Sequence, residues 1–316
     1  MTEQEYTPMG NGKQLASLFG LWLGFTILGV IVSLAVIVGF YGMGMWNNIL
    51  TMSNTSAPGF LTAFRLFIAL GSSLMGFMAP ALVFSYFVVQ DPVEYIGVRN
   101  YTPAVLVLLA AVIMIFFLPT IDITSYFNQK MTLPPRLHEL DKLIHDAEKA
   151  ASEQFKVLLD MKTPGDLVIT LIIVALFPAL SEEFFFRGCL QPIIKRMTHN
   201  SHAAVWITAF IFSFIHFEFL GFVPRLLLGA ALGYLYEWSG TIWPSVMVHF
   251  VNNGFSVVAL YLYQHKYFTA DPDNGQPMFS QTWIYVVSLL LSIGLMYLFH
   301  KITIDKQMIA DGEELD

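Results

Sequence analysis

Three clusters of polar side chains interrupt the most apolar part of this chain at helical spacing: Glu182-Glu183-x-x-x-Arg187, Phe212-x-x-x-His216 and His249-x-x-x-Asn253. Each lies in a run suited to hydrocarbon, where an ionisable group is expensive unless paired or hydrated and is therefore a functional candidate by default. On a helix Glu183 and Arg187 are i, i+4 neighbours that can pair, while Glu182 points about 100° away from Glu183. The two acids therefore cannot share one task. Arg187 neutralises one carboxylate, and the other is free to take a proton from water. A pair that only staples helices accounts for Glu183 and Arg187 but leaves Glu182 a buried charge without a partner.

His249 and Asn253 are again i, i+4 on one helical face. His216 closes the aromatic run Phe210 to Phe217, and a lone histidine there reads as a core residue. Two intramembrane histidines accompanied by an intramembrane glutamate read differently. Glu182, His216 and His249 can bind zinc as a His₂Glu set with a position open for water, or they can hold a water directly in a metal-free site. Either arrangement makes a hydrolytic nucleophile, and Asn253 offers an amide donor to an oxyanion.

The elements that position these groups are membrane helices. The chain has 316 residues, is 56% hydrophobic and 12% charged, with a mean hydropathy of +0.62. Half the charge of a soluble domain, roughly 25%, means that most of the surface faces something other than water. The fold class is all-α, a polytopic transmembrane bundle of about eight spans of roughly 20 apolar residues each. Three are short: Pro103–Pro119, Ala203–Phe219 and Phe222–Trp238. At about 1.5 Å per residue, His216 lies about 20 Å into its segment, His249 about 12 Å, and Glu182 about 17–25 Å into one running the opposite way. The three depths overlap within the core.

Between residues 120 and 163 runs a polar stretch in which Leu137, Leu140, Leu143, Ile144 and Ala147 recur at helical spacing. This predicts an amphipathic helix started by Pro135, packed as a surface helix on the membrane face or acting as a gate or docking helix. The division by sequence is 1–119 for N-terminal membrane helices, 120–163 for the polar stretch, 164–263 for the catalytic core and 264–316 for a last helix and acidic tail. Lys13, Arg99, Lys195, Arg196, Lys301 and Lys306 fall on one side when both termini are cytoplasmic. The single Cys189 excludes a disulfide and any cysteine-built zinc site. A net charge of −7 without a basic run excludes nucleic acid as a partner. Gly20-x-x-x-Gly24 and Gly229-x-x-x-Gly233 read as close packing within the bundle, and Arg225 and Glu237, at segment ends, as interfacial anchors.

In this order and spacing, the three motifs resemble those of the CAAX-protease and bacteriocin-processing family of intramembrane proteases, which includes the type II CAAX prenyl endopeptidases. The resemblance covers roughly Gly165–Ser256. It implies that Glu182 activates water with His216 as its partner and that His249 and Asn253 stabilise the oxyanion. Glu183 and Arg187 would support the site and meet substrate, with Phe212 as a supporting position. The implied activity is endopeptidase cleavage of a membrane-associated peptide or protein, CAAX-type or leader-like, lipidated or not, beside membrane lipid in a bacterial cytoplasmic membrane. Two other classes compete: a non-catalytic scaffold or immunity protein of the same fold, and an ion-coupled transporter. The transporter would show two similar halves with broken helices, and no duplication is visible.

Overall fold

The computed structural model describes residues 9–88, 95–98, 102–268 and 275–313, with side chains to residue 304. In chain order the helices are α1 (Asn11–Tyr41), α2 (Met43–Thr51), α3 (Phe60–Val88), α4 (Ala104–Gln129), α5 (His138–Leu158) and α6 (Pro164–Thr198). They continue with α7 (Ser201–Phe214), α8 (Phe222–Ser239), α9 (Trp243–Gln264) and α10 (Thr282–Glu313). Seven are long and apolar enough to cross a membrane, and the chain is a polytopic helical membrane protein. The expected fifth span falls short. α7 has 14 residues, about 21 Å of helix against a core of about 30 Å, because Phe217 turns into the left-handed region at φ +54° and ends it. α4, by contrast, runs on through Pro119 to Gln129. Ser288 of α10 donates to Phe116 O just before that proline, which supplies a hydrogen bond where the helix ladder is weakened.

Two apolar clusters divide the bundle. Leu18, Phe84, Phe185 and Phe212 join α1, α3, α6 and α7; Met114, Leu232, Val248 and Phe299 join α4, α8, α9 and α10. In lipid such contacts hold by close fit rather than by exclusion of water. Gly229 and Gly233 provide that fit. A Cβ on Gly229 would lie 3.2 Å from Ala209 Cα, and one on Gly233 3.0 Å from Val205 Cγ1. Gly20 and Gly24 do not pack as expected, since a Cβ on either meets nothing within 4 Å. α1 instead meets α3 further along, where Gly29 sits against Gly71 and Met75.

α6 alternates between α and π geometry, with π segments at Leu171–Leu176 and Phe184–Leu190. Each ends two residues before a proline, Pro178 or Pro192, and the π segment of α3 ends likewise before Pro80. A proline lacks the N–H owed to the carbonyl four residues earlier and crowds that carbonyl; a widened turn relieves the crowding. The start of α6 is bolted down. Thr163 and Asp166 form a capping box, and Arg65 of α3 donates to Asp166 (3.0 Å) and Thr170 (2.9 Å).

One end of the bundle carries Lys195 and Arg196, while Lys142, Lys149 and Lys156 of α5 lie at the other. Arg196 reaches Gln14 at 2.8 Å and Tyr95 at 2.9 Å, and Lys195 pairs with Glu237. Arg99 and the side chain of Lys306 lie outside the described residues. α5 lies at the other end, preceded by a turn at Pro135–Leu137. It forms where the periodicity places it but scarcely packs: Leu140 and Leu143 are 48% and 66% exposed. Its anchors are Leu158, buried beside α3, and Glu148, which accepts a hydrogen bond from Leu220 N at 2.7 Å.

Candidate active site

Glu182 and Glu183 sit where α6 passes from α to π geometry. The sequence continues as three phenylalanines whose burial clamps the acids inside the bundle: Phe185 and Phe186 are fully buried. Arg187 Nη1 donates to Glu183 Oε1 at 2.6 Å with both side chains 0% exposed. Its Nη2 donates to Gly229 O at 2.9 Å. That carbonyl comes within reach because Gly229 lets α8 approach so closely. The Phe212 ring covers the guanidinium, 4.8 Å from its carbon, a cation–π contact out of water.

The histidines are oriented by what they donate to. His216 Nδ1 lies 2.6 Å from Phe212 O, and a carbonyl only accepts, so Nδ1 carries the proton and Nε2 presents a lone pair. His249 Nδ1 lies 2.8 Å from Glu183 Oε1, which assigns the same tautomer. Glu183 therefore holds Arg187 and His249 together. Both Nε2 atoms face Glu182 Oε2, each at 3.8 Å. Oε2 is buried and has no hydrogen-bond partner. Such separations are too long for direct hydrogen bonds. His216 is the open side, its side chain 26% exposed against 4% for His249 and 12% for Glu182.

Glu182, Glu183, Arg187, Phe212, His216 and His249 thus meet in one place, drawn from α6, α7, α9 and the turn after α7. Asn253 sits one turn beyond His249 with its amide otherwise engaged. Its Nδ2 donates to Val174 O at 3.3 Å, and its Oδ1 accepts from Asn252 at 3.0 Å. Val174 is four residues before Pro178, so Asn253 serves the carbonyl that the proline cannot. Arg225 is more than the expected anchor. It pairs with Glu218, two residues beyond His216 in the chain. The signal was present in the sequence, an ionisable residue in an apolar run, but its place at the head of α8 suggested the interface instead. Glu237 does lie at the end of its helix, paired with Lys195 and Ser201. Cys189 is buried and makes only a weak contact to Ala81 O.

The part of the chain that builds this cluster has known relatives. Residues 164–255 match the family model of type II CAAX prenyl endopeptidase, Rce1-like. This stretch is similar to that family. It contains all three motifs, in agreement with the resemblance drawn from them. The uncharacterized protein YpbD of Bacillus subtilis (strain 168) is 31% identical over 100 residues, which cover 30% of this chain and 46% of YpbD. The match thus spans about half of that relative. No solved structure matches the chain. α1 to α5 and α10 lie outside the Rce1-like segment and frame it.

Proposed function

We propose that this chain is a membrane-embedded endopeptidase that hydrolyses a peptide bond of a membrane-associated substrate with a water held by Glu182, His216 and His249. The observation that carries the reading is the convergence of two bare imidazole nitrogens on a buried carboxylate oxygen that has no partner. Three acceptors facing one another repel unless hydrogens or a cation lie between them. A water donating to Glu182 Oε2 and His216 Nε2 satisfies two of them and keeps an oxygen lone pair for a carbonyl carbon. As the water attacks, Glu182 takes its proton and later delivers it to the leaving nitrogen as the C–N bond breaks. To donate to the oxyanion, His249 takes a second proton from solvent on Nε2, and Glu183, which accepts from its Nδ1–H, balances the imidazolium. Arg187 holds Glu183 in place.

Zinc matches the same donors by type, though not by their spacing in this structure. Among the described residues no three His, Cys, Asp or Glu side chains are placed to hold a metal ion, and the 3.8 Å separations are about 0.4 Å wider than two ligands of a tetrahedral zinc. The chemistry nevertheless matches, because each histidine is oriented through Nδ1 in the manner of a metal ligand. Glu182, His216 and His249 would hold the ion, which would act as a Lewis acid on water and carbonyl. The family's description brings in the substrate class, a prenylated CAAX terminus, delivered from membrane lipid.

The test is Glu182→Gln in purified, lipid-reconstituted protein with an S-farnesylated CAAX peptide, alongside a membrane-proteome comparison with wild type. Turnover should fall by at least ~10²-fold, as for a lost general base, with unchanged thermal unfolding. Near-normal cleavage would remove Glu182 from the mechanism.

A further inference from the structure

Arg225 carries a property that an interfacial anchor does not need. Its Nη2 donates to Glu218, but its Nη1 is buried without any hydrogen-bond partner. The guanidinium is pressed against Gly221, where a Cβ would lie 3.1 Å from Nη2 and 3.5 Å from Nη1. The side chain is 19% exposed, whereas Glu218 is 45% exposed. A simple surface pair would turn its spare N–H groups to water. Here one is buried, on a residue whose partner Glu218 follows His216 by two positions in the chain.

The turn that carries this pair is rigid. Asn128 of α4 clamps it from both ends, donating to Phe219 O at 3.1 Å and accepting from Val223 N at 2.6 Å. Glu148 of α5 takes Leu220 N at 2.7 Å, and Ser213 donates to Phe222 O at 2.7 Å. Four contacts from three other helices hold a segment that is otherwise only a connection. Rigid support of this kind is what a binding subsite needs.

We propose that Arg225, with Glu218 as its resident counter-ion, is a specificity-determining subsite that binds a carboxylate carried by the substrate close to the scissile bond. A planar monoanion suits the fork of a guanidinium. Glu218, half in water, holds Arg225 only weakly and can share it. A phosphate, bulkier and more highly charged, would meet the carboxylate of Glu218 that already sits on the guanidinium. The carboxylate can be a free C-terminus or an Asp or Glu side chain. The inference rests on the proteolytic reading of the site and adds to it a substrate contact.

The experiment separates the two. Full-length Glu182→Gln protein in neutral-lipid nanodiscs is titrated with fluorescent S-farnesylated peptides, and binding is read by anisotropy. One pair differs by a C-terminal carboxylate or amide, a second by an internal Asp or Asn. The subsite requires at least tenfold tighter binding of the acid in one pair, and the pair that discriminates names the source. Adding Arg225→Gln should erase the preference, and Arg225→Lys should keep part of it. Should Arg225→Gln lose its fold, Glu218→Gln still decides, because freeing the guanidinium should tighten binding of the acid. Equal or absent binding, a preference that survives Arg225→Gln, or Arg225-dependent capture of anionic phospholipid in place of peptide overturns the proposal. A preference in binding without cleavage by wild type would instead sink the protease reading and leave the subsite standing. Cleavage of acid and amide at equal kcat/KM would do the reverse.

Discussion

Neutralising one member of the Arg187–Glu183 pair should destabilise the protein far more than neutralising both. Both side chains are fully buried and 2.6 Å apart, so solvent screening does not reduce the interaction. Removing one partner of a buried pair leaves an uncompensated charge and costs about 3–5 kcal/mol. Glu183→Gln should lie at the upper end, since Arg187 then keeps only Gly229 O and the Phe212 ring. Arg187→Met should lie at the lower end, because His249 still donates to Glu183. The double variant contains neither charge and should lose about as much as one single variant, giving a coupling of about 3 kcal/mol or more. At roughly 2–4 °C per kcal/mol, each single change lowers Tm by on the order of 10 °C. Thermal unfolding of all four proteins in one detergent, supported by denaturant titration, measures the cycle. Losses that add to within about 0.5 kcal/mol would show that the residues act independently and would refute the assigned contact.

Asn253→Ala separates two roles: an oxyanion donor would lose about 10²–10³-fold in turnover at constant Tm, whereas the contact to Val174 O predicts a lower Tm. Pro178→Ala, which returns an N–H to that carbonyl, should restore the Tm of Asn253→Ala in the second case. For the histidines, zinc chemistry predicts about one zinc per chain by elemental analysis, lost in both His216→Ala and His249→Ala. The water-only site predicts no stoichiometric metal and a turnover loss in His249→Ala at unchanged metal content.

Much of this protein was legible in local pattern. Apolar runs of membrane length specify helices because hydrocarbon leaves the backbone no other partners. The i, i+4 spacing placed Glu183 beside Arg187 because helical geometry alone decides that distance. The period of Leu137, Leu140 and Leu143 likewise located α5. What local pattern could not supply was the partner across helices. Adjacent glutamates diverge on α6, yet both approach the same imidazole of α9, Glu183 at Nδ1 and Glu182 at Nε2, since α9 packs beside them and one ring presents nitrogens in two directions. Asn253 shares a face with His249 but is drawn to Val174 O by a proline on another helix. Arg225 meets Glu218, two residues after His216, across a turn that Asn128 and Glu148, about a hundred and about seventy residues earlier, hold in place. Spacing in sequence determines neighbours within a helix; which neighbours meet between helices depends on packing and on the carbonyls and charges left unsatisfied inside it.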